Sequence, residues 1–534
     1  MTDTQLKRIL VTDKLDDEGL RILESAPGIH VDVKTGLPPE ELKKIIGGYH
    51  GLAIRSATKA SADLLEAAHD LEAIGRAGIG VDNVDVPAAS RQGIVVMNTP
   101  EGSAVTTAEH ALSLLLTLAR KVAQATASMK AGKWDKKRFM GTELSAKTLG
   151  IIGIGNIGAI VADRAQGLKM KVIAYDPYIS PDAAAKKDIE LVAELDEFLG
   201  RADFISIHVP LTKDTKHLIN KEAFAKMKKE VLIVNAARGG IIHEGDLFDA
   251  LQSGKVGGAA LDVWEKEPPG ESPLLGLDQV ICTPHLGAST EEAQLNVSVA
   301  VARQLVDFFT TGTIKNAVNV PSVSKELLVR MGPYLDLAER LGRFIAQTYE
   351  GGIEQVSIEY FGEVGKFDNL TPLTVAAMKG LLEPVLGEKV NFVNALLLAK
   401  ERGIRLVESR TNDATDFASL IELKVRGAGG EHLIWGTIFG HRYPRIIRID
   451  NFYMEAHAGG HIIVMHNLDK PGVVGAVGNL LGSNGINIAR MQLGLDTAKG
   501  EAMALIQVDQ PISGEVLRQF ETLPNLLWVK QIEL

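Results

Sequence analysis

Apolar residues recur along the first part of this chain in short runs, "RILVTD", "GLAIRS", "LEAIGRAG" and "GIVVMN", separated by stretches whose apolar positions follow a helical period. That alternation predicts a parallel α/β layer from Lys7 to about Gly93, because strands joined by helices lie parallel and are covered on both faces. A helix is expected after "TPEGSAVTTAEHA". Beyond the polar stretch "KAGKWDKKR" a second series opens: "LGIIGI", "KVIAY", "FISIHV", "VLIVNAA", "GAALDV" and "VICTP". Six apolar runs without polar alternation predict a doubly wound sheet, again buried on both sides. A helical period over about 290 to 311 predicts a long helix that returns to the first domain and makes that domain discontinuous. The next region reads as helices followed by β-like runs rich in Gly and Arg. The tail from "HIIVMHNLDKPGVVGAVGNLLGSNGINIARMQLG" reads strand, turn, helix, strand. The expected division is 1–100 with 287–320, then 101–286, 321–455 and 456–534.

A chain of 534 residues is long enough for three or four domains. A formal charge of −10 and a pI near 5.8 argue against nucleic acid and against an anionic membrane surface, which leaves small molecules as the expected partners. Cys282 is the single cysteine, so no intrachain disulfide can form. The opening "MTDTQLKRIL" lacks the apolar centre of a signal peptide, and "AEHALSLLLTLAR" is too short to span a bilayer, so the expected location is the cytoplasm. No set of His, Asp and Glu has metal-ligand spacing, and no metal is expected.

Candidate chemistry begins at "LGIIGIGNIG", where Gly153, Gly155 and Gly158 follow an apolar strand and open a helix. Glycines at this spacing let the backbone turn tightly and approach a pyrophosphate, which then rests on unpaired amides at the helix start. Asp176 ends the next strand, eighteen residues past Gly158. A carboxylate there accepts hydrogen bonds from the ribose hydroxyls and repels a 2′-phosphate, so NAD is the expected cofactor.

In an open parallel sheet, ligands bind beyond the carboxyl ends of the strands. Arg238, Glu267 and His285 fall at three such ends, after "LIVNAA", "AALDVWEKE" and "VICTP". Oxidation of a 2-hydroxy acid needs a base for the hydroxyl proton, a cation for the carboxylate and carbonyl oxygens, and a hydride acceptor. Histidine suits the first role, a carboxylate on its other ring nitrogen supports the imidazolium, and arginine suits the second. Pro284 and Gly287 stiffen and shape the turn that carries His285. His110 and His208 lie within apolar patterns and are expected to be structural, and His243 falls outside the chemistry.

"NAARGG", "ALDVWEKEPP" and "TPHLGAST" resemble the signature segments of the D-2-hydroxyacid dehydrogenase family, whose catalytic Arg, Glu and His map onto Arg238, Glu267 and His285. "IRSATKAS", "GRAGIGVDNVD", "MNTPEGSAVTTAEH" and "ATASMKAGKWDKKRFMGTEL" are similar to the branch of that family that oxidises 3-phosphoglycerate to 3-phosphohydroxypyruvate, the first step of phosphorylated serine biosynthesis. The resemblance implies two Rossmann-like α/β domains, one for substrate and one for NAD. It sets Arg55 and Ser56 against the substrate, with Gly78, Gly80 and Asn83 at the carboxylate end. It brings Lys137 and Arg138 toward a neighbouring subunit's site, although an exposed solubilising turn reads equally well there. Asn156, Ile157, Val209, Pro210, Ala236, Asp262 and Gly287 complete the expected cofactor contacts.

The C-terminal half resembles the intervening domain and the ferredoxin-like ACT domain of the longer family members, the latter through "NLDKPGVVGAVGNLLGSNGINI". The resemblance implies a homo-oligomer and L-serine as effector, held by Asn467, Asp469 and Asn487 near the turn at Gly472. The family often has His or Tyr in the place of Asn467, and an ACT fold kept for dimerisation alone is the other reading. Arg442, Arg445 and Arg448 with His441 form a candidate anion site or a solvated strand face. The alternatives for the whole chain are a hydroxypyruvate or glyoxylate reductase and a non-catalytic dinucleotide sensor.

Overall fold

The computed structural model describes residues 6–320, 325–387, 390–411, 417–440 and 442–534. They fall into two compact units. The first comprises Met1–Ala60, Ala67–Val84 and Met97–Asn316, the second Ser61–Glu66, Asp85–Val96 and Ala317–Leu534.

The first unit carries two sheets. One is built from β1 (Lys7–Val11), β2 (Ile29–Val33), β3 (Gly51–Ile54), β4 (Ala73–Arg76) and β5 (Val95–Asn98), of which Met97 and Asn98 belong to this unit, in the order β2-β1-β3-β4-β5. The pairs β1–β2, β1–β3 and β3–β4 are parallel. β2 is an addition to the four strands read from the sequence: "IHVDV" is an edge strand with alternating polar positions in which only Ile29 is buried. The helix Glu291–Thr311 starts at Thr290, whose side chain accepts from the Ala293 amide, and stops at Gly312 in the left-handed region with φ 68°. It packs on this sheet with Val301 and Leu305 fully buried, and Ser298 Oγ accepts from the Asp16 amide at 3.0 Å.

The other sheet comprises β6 (Thr148–Ile152), β7 (Lys171–Tyr175), β8 (Glu190–Leu191), β9 (Phe204–Ile207), β10 (Val231–Asn235), β11 (Val256–Leu261) and β12 (Val280–Cys282). Its order is β12-β11-β10-β9-β6-β7-β8, and every pairing is parallel. The expected six strands become seven because β8, two residues at an edge, leaves no apolar run to read. Helices cover both faces. Leu112, Leu115, Val161 and Ala165 pack on one side, Phe198, Phe224 and Leu247 on the other. The long helix expected after "TPEGSAVTTAEHA" instead begins inside that stretch, at Ala104, and runs to Arg120.

In the second unit, β13 (Ile353–Gly362), β14 (Arg405–Thr411), β15 (Ser419–Gly427), β16 (Gly430–Phe439), β17 (Tyr443–Ile449) and β18 (Phe452–His457) form a sheet ordered β14-β13-β15-β16-β17-β18. Only the β13–β14 pair is parallel. Helices Lys325–Thr348 and Thr371–Leu386 pack on it through Leu337, Leu341, Phe344, Leu373 and Leu381, each almost fully buried. The tail folds as β19 (His461–Leu468), a helix (Val473–Ser483), β20 (Ile488–Asp496), β21 (Glu501–Val508), a helix (Gly514–Glu521) and β22 (Leu526–Glu533). The sheet order β20-β21-β19-β22 and antiparallel pairing make it the ferredoxin-like arrangement of an ACT domain. Among the described residues no helix is long and apolar enough to cross a membrane.

Candidate active site

β10 ends on Asn235, which is 2% exposed. Its side chain accepts from the Ala237 amide at 3.1 Å and donates to the Arg238 carbonyl at 2.9 Å, closing a tight turn that sets Arg238 beyond the strand end. Gly239 follows because the loop after β11 presses on it: a Cβ there would lie 1.8 Å from the Trp264 carbonyl oxygen. That second loop carries Glu267. Its Oε1 accepts from the Trp264 amide at 3.2 Å, and its Oε2 faces Nδ1 of His285 at 2.8 Å. The carboxylate therefore fixes the ring orientation and leaves Nε2 of His285 for chemistry.

His285 has φ 56°, a left-handed conformation uncommon for any residue with a Cβ and held here by its surroundings. Asp262 imposes it. The Asp262 carbonyl accepts from the His285 amide at 2.9 Å, while its carboxylate accepts from the amides of Leu286 and Gly287 at 2.7 and 2.8 Å. Asp262 is fully buried. Burial alone would raise its pKa, but donors from His110, Thr283 and Leu286 outweigh it and hold the carboxyl below the usual range.

Across from these loops, Arg238 Nε donates to Asp82 Oδ2 at 2.8 Å, and a Cβ on Gly80 would meet the Arg238 guanidinium. Arg76, at the end of β4, curls over Gly78. Burial first, then the neighbouring charge of Arg238, pushes its pKa down to about 10, with Arg55 adding in the same direction, and its Nε is buried without a partner. The guanidiniums of Arg76 and Arg238 thus flank the Gly78–Gly80 turn, with the charge of Arg55 near enough to act on Arg76, an arrangement that favours an anion. Arg55 is held by its amide on Asp13 Oδ2 at 2.6 Å, and Ser56 is exposed on the same loop. Asn83 spends its amide protons on the carbonyls of Arg55 and Thr58, both at 2.6 Å, so it braces that loop and is not a free donor to a carboxylate. Lys137 is exposed. Arg138 pairs with Asp278, ahead of β12 and at the opposite end of that strand from His285, so the basic turn is not part of this chain's own site.

The glycine turn fits NAD. Gly153 has φ 90°, and a Cβ on Gly158 would lie 2.0 Å from the Gly153 carbonyl oxygen. Gly155 faces open space at the start of the helix Asn156–Gly167, where the first amides, including those of Asn156 and Ile157, point outward. Asp176 accepts from the Ile154 and Tyr178 amides at 2.8 and 2.9 Å and keeps lone pairs for ribose hydroxyls. Val209 flanks Gly153, Pro210 accepts from Thr215 Oγ1 at 2.6 Å, and Ala236 and Gly287 are buried at the strand ends.

In the tail, Asn467 is 3% exposed with Oδ1 buried and unpartnered, whereas Asp469 and Asn487 are exposed. The arginine run splits. Arg445 borders a cavity of about 250 Å³ with His457, Arg490 and Gln507. Arg448 stacks between Trp435 and Tyr453 at 4.7 and 4.9 Å. His441 lies outside the described residues. Sequence reasoning missed Arg76 and Asp82, and it set Asp262 against the cofactor where the structure makes it the anchor of the His285 turn. Of these only Arg76 had a readable signal, a cation at a strand end like Arg238.

A histidine held by a carboxylate, an arginine cluster and a dinucleotide turn, all at the carboxyl ends of parallel strands, are the parts of an NAD-dependent dehydrogenase of 2-hydroxy acids. Residues 112–287 match the D-isomer specific 2-hydroxyacid dehydrogenase NAD-binding domain, 330–450 the D-3-phosphoglycerate dehydrogenase intervening domain and 461–525 the ACT domain. D-3-phosphoglycerate dehydrogenase of Synechocystis sp. is 43% identical over 96% of this chain and 92% of its own length, and that of Archaeoglobus fulgidus is 43% identical over 99% and 100%. Among solved structures, a glyoxylate reductase from Paecilomyes thermophila aligns with 58% of this chain and 98% of its own, at 29% identity and a TM-score of 0.55. The TT0316 protein from Thermus thermophilus aligns with 58% of this chain and 99% of its own, at 33% identity and a TM-score of 0.54. The chain belongs to the D-3-phosphoglycerate dehydrogenase family.

Proposed function

We propose that this enzyme oxidises 3-phosphoglycerate to 3-phosphohydroxypyruvate, with NAD supplying the hydride acceptor. The carrying observation is the His285–Glu267 contact of 2.8 Å, together with the guanidiniums of Arg238 and Arg55 whose charges act on Arg76. His285 Nε2 takes the hydroxyl proton, Glu267 holds the resulting imidazolium, and Arg238 binds the substrate carboxylate and the forming carbonyl oxygen. Arg55 and Arg76 attract the phosphate, a demand that glyoxylate does not make. Relatives 43% identical over nearly the whole chain are named D-3-phosphoglycerate dehydrogenase.

The same reading makes the chain a cytoplasmic homo-oligomer in which Lys137 and Arg138 serve a neighbouring subunit's site. It divides the chain at 1–100 with 287–320, 101–286, 321–455 and 456–534 and assigns the ACT domain to L-serine, with Asn467, Asp469 and Asn487 as contacts. The test compares NADH formation from NAD with 3-phosphoglycerate against NADH consumption with glyoxylate and with unphosphorylated hydroxypyruvate. A preference for the unphosphorylated acids overturns the substrate, and no turnover of any of them overturns the enzyme reading. Calorimetric titration of the full chain with L-serine tests the effector, and the absence of heat at millimolar serine removes it.

A further inference from the structure

His110 lies on the helix Ala104–Arg120, within an apolar pattern that makes it a packing residue on sequence grounds. Its surroundings are those of the active-site loops. Nε2 of His110 is 3.1 Å from Asp262 Oδ1 and 3.3 Å from Thr283 Oγ1, and Thr283 Oγ1 itself donates to the same Asp262 oxygen at 2.5 Å. Asp262 and Thr283 follow the ends of β11 and β12, the strands whose loops present Glu267 and His285.

Asp262 is a hub with no exposure to solvent. On one side it receives His110 and Thr283. On the other it grips the turn through the amides of Leu286 and Gly287, and through its own carbonyl on the amide of His285. His285 is therefore bracketed by anchors that all belong to one aspartate. Its left-handed φ of 56° is a strained conformation that relaxes unless such anchors hold it. A buried carboxylate that loses one donor pulls harder on, or moves toward, the donors that remain, and those are Thr283 Oγ1 and the amides of the turn.

We infer that His110 is a positioning residue for proton transfer: through Asp262 it fixes the 283–287 turn, so that His285 keeps Nδ1 on Glu267 and Nε2 in the site. The inference rests on His285 being the base. A misplacement of about 1 Å at a reacting group costs on the order of 100-fold, and a residue acting at one remove is expected to cost roughly a tenth of that effect, about 10-fold.

The test is a double-mutant cycle in the full-length enzyme with 3-phosphoglycerate and NAD, combining His110→Leu, which keeps bulk and removes the donor, with His285→Asn. His110→Leu is expected to lower kcat about 10-fold with KM for 3-phosphoglycerate within roughly 3-fold, and His110→Gln, which can place an amide N–H near Nε2, to recover most of it. In the His285→Asn background the same His110→Leu change is expected to cost less than about 2-fold. Full additivity in that background overturns the inference, as does a His110→Gln variant no better than His110→Leu, or wild-type kcat in His110→Leu. Wild-type turnover in His285→Asn alone is a different failure, because it removes the base and with it the group His110 is said to position. Should His110→Leu not fold, Thr283→Val removes the other donor to the same Asp262 oxygen. Additivity of that change with His285→Asn overturns the inference equally.

Discussion

Nε of Arg238 donates to Oδ2 of Asp82 at 2.8 Å, so the cation expected to receive the substrate carboxylate is engaged by a carboxylate of the protein's own. Asp82 is largely exposed, and an exposed ion pair contributes only about 0–1 kcal/mol. An arriving carboxylate with bidentate geometry displaces it. Asp82→Asn is expected to lower KM for 3-phosphoglycerate roughly 2- to 5-fold at low ionic strength, with the gain shrinking toward 1 M salt as charge is screened. Steady-state kinetics across a salt series checks it, and an unchanged or higher KM at low salt contradicts it.

The Glu267 carboxylate is held by the Trp264 amide on one oxygen and by His285 Nδ1 on the other. Glu267→Gln keeps the shape and one hydrogen bond but removes the charge that balances an imidazolium. It is expected to lower kcat about 10- to 100-fold, the lower part of the usual range for acid–base contributions, with little change in NAD affinity. A kcat within about 2-fold of wild type would show that the charge is not used.

Arg76 is a half-buried cation whose Nε is buried without a partner and whose charge is disfavoured first by burial and then by Arg238. Such a group is tolerated where function needs it, because a poorly paired, partly buried charge weakens the fold. Arg76→Met is therefore expected to move two properties in opposite directions. Stability rises by about 1 kcal/mol, and kcat/KM for 3-phosphoglycerate falls on the order of 100-fold. Loss of both, in calorimetry and in kinetics, would make Arg76 a structural residue.

Most of the strand framework was legible because parallel strands covered on both faces are continuous apolar runs, as in "VLIVNAA" and "GAALDV". β2 and β8 escaped because an edge strand needs fewer apolar side chains and can be very short. Arg238, Glu267 and His285 could be read because each follows a strand end in the half of the sheet that lines the crevice. Arg76 obeys the same rule in the first sheet, but the glycines of "GRAGIG" drew the reading to the backbone turn. Asn83 and Asp262 were placed at the site by resemblance. Their bonds, to loop carbonyls and to the His285 turn, depend on contacts between distant segments that no local pattern encodes.

Two glycines of the dinucleotide turn separate binding from folding. Gly155 has an ordinary φ of −75°, and a Cβ there meets nothing within 4 Å of the protein, so Gly155→Ala is tolerated by the fold but fills the path of the pyrophosphate. It is expected to weaken NAD binding about 10-fold or more with stability within roughly 0.5 kcal/mol. Gly158→Ala sets a Cβ 2.0 Å from the Gly153 carbonyl oxygen and forces the helix off the strand, at a cost of several kcal/mol. Isothermal titration and thermal melts separate the two, and a Gly155→Ala variant with wild-type NAD affinity would move the pyrophosphate elsewhere.

His208 links the same domain to pH. Burial lowers its pKa from 6.5 to about 4; Nε2 meets Ser206 Oγ at 2.8 Å and Nδ1 is buried without a partner. The folded chain therefore holds a neutral imidazole where the unfolded chain, with the ordinary value, binds a proton. Between pH 6.5 and about 4 the unfolded state carries more protons, so stability rises with pH through that window. The contribution is complete above 6.5 and is lost as pH falls toward 4, by at most about 3 kcal/mol. In calorimetry the relevant transition is the one that NAD shifts upward, since a ligand stabilises only the domain that binds it. That transition is expected to fall steeply below pH 6.5 in the wild type and more shallowly in His208→Gln, which keeps a partner for Ser206 but does not titrate. Parallel pH profiles for the two proteins would assign the acid sensitivity to the carboxylates instead.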